Sequence, residues 1–247
     1  MAHPASSVAL LLAVSFGSAL HAAEAPTAAP ALIAVRAAQT APATAPATQP
    51  ARASYADPKA AFIAWNSAVR NLDADTVEAA FYATTPAEKQ LVTSTVGVLR
   101  AEKHLRDAVT AAFKPPADKP YPALMAHAAP DDAVNAAIIT IEGDAARIVS
   151  AGGPPLHFVR INGSWRMDHV LDMVDGLPNS TTADKGAWAR QVCRLLDGLS
   201  KAVNDIARDT EQHKFDTADD VWETARVEID AVSHELAPTP SPPAGRP

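Results

Sequence analysis

Cysteine is nearly missing from this sequence: one, Cys193, in 247 residues. No intramolecular disulfide framework, thiolate zinc site or iron–sulfur cluster can be built from it. Aromatic residues make up only 5% of the chain. No apolar run reaches the ~20 residues of a membrane span. Positive charge is also in the minority, with 21 Lys and Arg against 28 Asp and Glu and a net charge of −7. That balance argues against unaided binding to nucleic acid or anionic lipid. A glycine-rich phosphate loop, a G-x-S-x-G elbow and an H-E-x-x-H pair are all lacking. No cofactor and no metal are therefore expected.

What the chain does have is alanine and proline, unevenly spread. Val8 to Leu20 read VALLLAVSFGSAL, followed by small residues in HAAEA. A short apolar run of this kind is of signal-peptide length, so residues 1–22 are expected to direct export to the periplasm or beyond. Residues 23–54 are rich in Ala, Pro and Thr and are expected to form an extended or disordered linker. Residues 237–247 repeat that character as a tail. The foldable body is expected in two parts, an α+β domain over 55–178 and a helical extension over 179–236.

Asp57-Pro58 is a helix start, because Asp accepts orphan amides and Pro is pre-set for the first turn. Phe62, Trp65, Val69 and Leu72 then recur three or four apart. A shorter helix follows around Val77 to Phe81. Thr85-Pro86-Ala87-Glu88 is a capping box, and the helix it opens is expected to run to about Phe113, where Lys114-Pro115-Pro116 stops it. Glu102 interrupts its apolar stripe. A Pro/Ala-rich connection then leads to Asp132. Towards the C-terminus, Trp188, Val192, Leu195, Leu199, Val203 and Ile206 form one stripe. Thr217-Ala218-Asp219-Asp220 caps a second helix carrying Trp222, Ala225, Ile229 and Val232. These two are expected to pair antiparallel, covering the sheet or meeting a second copy or a protein partner. Cys193 falls within the first stripe and is expected to be a buried, inert thiol.

Between the helical halves the periodicity changes to two. Ile138 to Ile141 and Ala146 to Val149 flank Gly143, which suits the first central position of a type II′ turn. LHFVRI and SWRMDHV flank Asn162-Gly163, a stronger hairpin signal. A two-residue turn sets His157 opposite Asp168. Leu156, Phe158, Trp165 and Met167 then share one face, and His157, Val159, Ile161, Arg166 and Asp168 the other. His157 and Asp168 are the acid–base candidates, since a carboxylate orients an imidazole and raises its pKa, and Arg166 could hold an anionic or enolic substrate. Asp168, His169, Asp172 and Asp175 crowd together, but their spacing matches no metal motif. Asp168 and His169 would also point to opposite faces if the strand persists.

The opening DPKAAFIAWNSAVRNLDADTVEAAFY and the late strands ending in INGSWRMDHV together resemble the nuclear-transport-factor-like, ketosteroid-isomerase-like superfamily over about Asp57 to Asp172. The chain is also similar to exported bacterial proteins with this helix–hairpin–helix order. The superfamily resemblance implies a cone fold, in which helices wrap a curved antiparallel sheet around a pocket. It also implies either cofactor-free isomerase, hydrolase or dehydratase chemistry or a non-catalytic binding role. In the catalytic case Asp168 would be the base, provided its face lines an apolar cavity. A long helix from Pro86 stands where that pattern usually has two strands, and the C-terminal helices are additional. The expected fold is thus α+β, a curved antiparallel sheet of about four strands against several helices, with a C-terminal helical pair. No catalytic motif is sharp. A non-catalytic module for a small apolar ligand or a protein partner therefore ranks above an isomerase or hydrolase using His157, Asp168 and Arg166.

Overall fold

The computed structural model describes residues 55–114, 121–122, 124, 128–150, 155–173 and 182–236. The expected signal peptide, linker and tail lie outside them, as does Asp175. Three helices come first: α1 (Pro58–Arg70), α2 (Ala74–Ala80) and α3 (Pro86–Phe113). A five-residue helix α4 (Asp131–Asn135) leads into β1 (Ile138–Glu142), β2 (Ala145–Val149), β3 (Leu156–Ile161) and β4 (Ser164–Asp168). A 3-10 turn (Val170–Met173) precedes α5 (Thr182–Glu211) and α6 (Ala218–Leu236). The strands form one antiparallel sheet in the order β1-β2-β3-β4. The fold is α+β, as the periodicities predict. The short α4 was not expected, since five residues carry too little periodicity to be read.

Side-chain caps set the helix starts. Asp57 accepts from the Ala60 amide at 2.8 Å, and Asp73 from the Thr76 amide at 3.2 Å. At α3 the box closes both ways: Thr85 Oγ1 accepts from the Glu88 amide, while Glu88 Oε2 accepts from the Thr84 and Thr85 amides and both hydroxyls. Burial pushes the Glu88 carboxyl up, but these hydrogen bonds outweigh it and hold the group below its ordinary value. Lys114 ends the helix in the left-handed conformation, at φ 46°.

Helix α3 is the spine. Val96, Val98, Leu99, Leu105 and Val109 on it are fully buried. Ser94 lies beside the Cys193 thiol, a Cβ on Gly97 would sit 3.4 Å from Ser200 Oγ, and His104 reaches Asn204 and Glu211. These contacts climb both helices in the same direction, so α3 and α5 run parallel. Helix α6 returns antiparallel along α5, as expected. Gly198, which weakens α5 locally, lets the two approach: a Cβ there would meet Leu236 Cδ1 at 2.7 Å and Val232 Cγ1 at 3.1 Å. Cys193 is buried, and burial raises its pKa. On the other side, α1 and α2 pack against the sheet. The buried residues of the sheet end and of the helix pair form one continuous core.

Two buried polar groups tether the Pro/Ala-rich connection. Asn66 on α1 donates to the Ala129 carbonyl and accepts from its amide, at 3.0 and 2.6 Å. The fully buried Glu102 on α3 accepts from the Leu124 amide at 3.3 Å and from Arg106 at 2.7 Å. Glu102 breaks the apolar stripe because it replaces water for a backbone amide and a guanidinium. Removing it leaves Arg106 half-enclosed and unpaired, so Glu102→Ala is expected to cost about 3 kcal/mol in denaturant unfolding.

His104 clamps α3 to α5. Asn204 donates its amide to the Ser200 carbonyl, which turns its oxygen towards His104 Nδ1 at 2.9 Å. Glu211 Oε1 lies 3.0 Å from Nε2. Both ring nitrogens face acceptors, the arrangement an imidazolium satisfies. The Asn204 hydrogen bond, opposed by partial burial and aided by Glu211 and Asp107, raises the His104 pKa. A raised folded-state pKa stabilises fully below the unfolded value of about 6.5 and is lost as pH rises through the folded value. Thermal unfolding across this window is expected to show stability falling with pH, and His104→Ala to flatten that limb.

Candidate functional site

The β3–β4 hairpin turns on Asn162 and Gly163, both left-handed at φ 51° and 79°, the type I′ geometry that Asn-Gly adopts readily. The register is the expected one, with His157 opposite Asp168, Val159 opposite Arg166 and Ile161 opposite Ser164. Leu156, Phe158, Trp165 and Met167 face the helices and are at most 4% exposed. That side of the sheet is filled. His157, Arg166 and Asp168 occupy the other side, half-buried, and Arg147 on β2 continues the His157–Asp168 row.

His169 joins this row, against expectation. The strand ends at Asp168, and His169 takes a left-handed φ of 54°, which swings its ring back over the same side. Its amide donates to Asp168 Oδ1 at 2.8 Å, Nε2 lies 3.7 Å from Oδ2, and its ring meets His157 edge-on with centroids 5.4 Å apart. The adjacent apolar pair Val170-Leu171 breaks the period-two pattern and marks where the strand stops. The residue before that break is where a left-handed turn fits, and His tolerates that conformation better than most. His169 is 59% exposed, so the row is solvated rather than enclosed in apolar surface. Among the described residues no group of His, Cys, Asp and Glu is placed to hold a metal.

A cleft of about 740 Å³ opens beside this row. It forms because Phe81 leaves α2 in extended backbone, at φ −86° and ψ 147°. Phe81 then pairs in parallel with Met167 on β4, and the Tyr82 amide donates to the Met167 carbonyl at 2.7 Å. The segment closes the outer edge of β4 and leaves a groove against α3. Phe81, Ala79, Ala83 and Val92 supply apolar lining, with Tyr82, Lys89 and Arg166 around them. Asp75 and Glu78 line it too, but Arg100 holds both, at 2.9 and 3.1 Å. Lys89 and Arg166 have no carboxylate partner among the described residues. Of the three residues singled out from the sequence, Arg166 lines the cleft, and His157 and Asp168 do not. Lys89 and Tyr82 carry no sequence signal, because their place depends on Phe81 reaching a strand far along the chain.

Among the described residues no helix is long and apolar enough to cross a membrane. The chain matches no protein-family model, no curated protein and no solved structure.

Proposed function

We propose that the chain is an exported, non-catalytic module that binds a small anion with an apolar body in the cleft between α2, α3 and β4. The observation that carries this reading is the pair of cations without carboxylate partners, Lys89 and Arg166, above an apolar floor. A cleft of this size falls within the ~300–1,000 Å³ of small-molecule sites. Arg166 suits a carboxylate or phosphate head, since a guanidinium donates in a planar fork. Phe81, Val92, Ala79 and Ala83 would take the apolar body. Export rests on the apolar run from Val8 to Leu20. The α1–α2 opening and the β3–β4 hairpin support kinship with the cone-fold superfamily. Among the described residues, however, the helix-facing side of the sheet is filled, so the ligand site proposed is the cleft at the β4 edge and not the pocket that the resemblance implies.

The alternative is a cofactor-free isomerase or hydrolase of the cone-fold type. His169 favours it by bringing a second imidazole to Asp168. It lacks the enclosed apolar cavity that such chemistry needs, since the row is solvated and His157 and Asp168 stand outside the cleft. A second copy or protein partner on α5–α6 is weaker still. The stripes of that pair are turned inward, and Val227 is its one large exposed apolar residue among those described.

Dodecanoate is a direct probe. The wild-type chain should bind it measurably by titration calorimetry and should not bind dodecyltrimethylammonium. Arg166→Gln should weaken dodecanoate by at least about tenfold, the worth of a hydrogen bond to a charged group. The more exposed Lys89→Gln should weaken it by only a few-fold, and His157→Gln should leave it unchanged. Equal binding by wild type and Arg166→Gln would overturn the assignment of the site. Turnover of small apolar carbonyls or epoxides that His157→Gln abolishes would favour the enzyme.

A further inference from the structure

The two edges of the sheet are treated differently. In an antiparallel ribbon alternate residues turn their backbone groups outward. On β4 these are Trp165 and Met167, and both are used: the Trp165 amide donates to the Tyr55 carbonyl at 3.1 Å and the Met167 carbonyl accepts from Tyr82 at 2.7 Å. On β1 the two-residue turn at Gly143-Asp144 and the pairing of Glu142 with Ala145 set the same alternation. Ile139 and Ile141 therefore turn two amides and two carbonyls outward, and among the described residues nothing pairs with them. Edges are ordinarily blunted by Pro, Lys, a bulge or a cover. β1 reads Ile-Ile-Thr-Ile-Glu and has no Pro, no Lys and no bulge. Ile138 and Ile141 are 70% and 55% exposed, two of the four large exposed apolar residues among those described.

We infer that β1 pairs antiparallel with β1 of a second copy, about a two-fold axis at Thr140, to make one continuous eight-stranded sheet. The strand is self-complementary in that register. Ile139 stands opposite Ile141 of the copy, and Ile141 opposite its Ile139, so all four outward backbone groups of each strand are satisfied. The same pairs continue the apolar face of the sheet. Thr140 meets Thr140 of the copy as a non-hydrogen-bonded pair, the closer kind. Charge does not oppose the pairing. The two Glu142 carboxylates fall at opposite ends of the ribbon, ~14 Å apart at the strand rise of ~3.4 Å per residue, beyond the ~10 Å screening length at 0.1 M salt. The symmetry is closed, so assembly stops at two.

The experiment combines oxidation with sedimentation on the full chain. Thr140→Cys should oxidise to a covalent dimer, because Cβ atoms of such a pair lie about 4.5–5.5 Å apart, near disulfide reach. Ile138→Cys should not, because its copies are separated by the length of the ribbon. Cys193 is buried and contributes no crosslink. Sedimentation equilibrium should give twice the chain mass for wild type and the single mass for the Ile139→Lys/Ile141→Lys double variant, with unchanged circular dichroism. A monomeric wild type at high micromolar concentration would overturn the pairing and leave the edge to a foreign strand. Equal crosslinking of the two cysteine variants would overturn the register. Should the double variant not fold, the cysteine pair still decides.

Discussion

The packing of α3 against α5 is the constraint on which the rest of the structure depends. Helix α3 has 28 residues, about 42 Å at 1.5 Å per residue, and no single partner covers it. One side takes α5, approached closely at Gly97; another takes α2 and the 3-10 turn after β4. The same helix holds Glu102, which anchors the connection to the sheet, and His104, which ties down the far end of α5. Because α3 belongs to both halves, the sheet end and the helical pair share one core rather than meeting at a seam. Most of the stability comes from that apolar burial. The polar groups within it decide where the connecting segments lie.

The cleft is a consequence of the same arrangement. The Thr84–Thr85–Glu88 network fixes where α3 begins, and the parallel pairing of Phe81 with Met167 fixes where the preceding segment runs. Between them the chain leaves space beside β4, and Arg166 and Lys89 border it. Closing one edge of the sheet thus creates the candidate site. The opposite edge, β1, has no such cover among the described residues. Both functional readings descend from the way backbone groups at the two edges are satisfied.

Much of the local structure was legible. The starts of α1, α3 and α6 are written in Asp57-Pro58, Thr85-Pro86-Ala87-Glu88 and Thr217, residues that satisfy orphan amides. Both hairpins follow from their turn residues, and the His157–Asp168 register follows from Asn162-Gly163. Gly143 is the central turn residue with positive φ, as a type II′ turn needs. What depends on distant contacts was not legible. The parallel course of α3 and α5 needs pairs about 100 residues apart. The place of Glu102 needs a backbone amide that no side-chain pattern reveals. The turn of His169 towards Asp168 follows from the strand stopping one residue before it, and element ends are where periodicity says least. The cleft needs Phe81 to leave its helix for a strand not yet formed.

Scanning calorimetry of the full chain tests the shared role of α3 most directly. One endothermic transition, with calorimetric and van't Hoff enthalpies equal once dissociation of the paired copies is included in the two-state scheme, is the result expected of a single core built on one helix. Two resolved transitions, with the α5–α6 pair melting apart from the sheet, would contradict it.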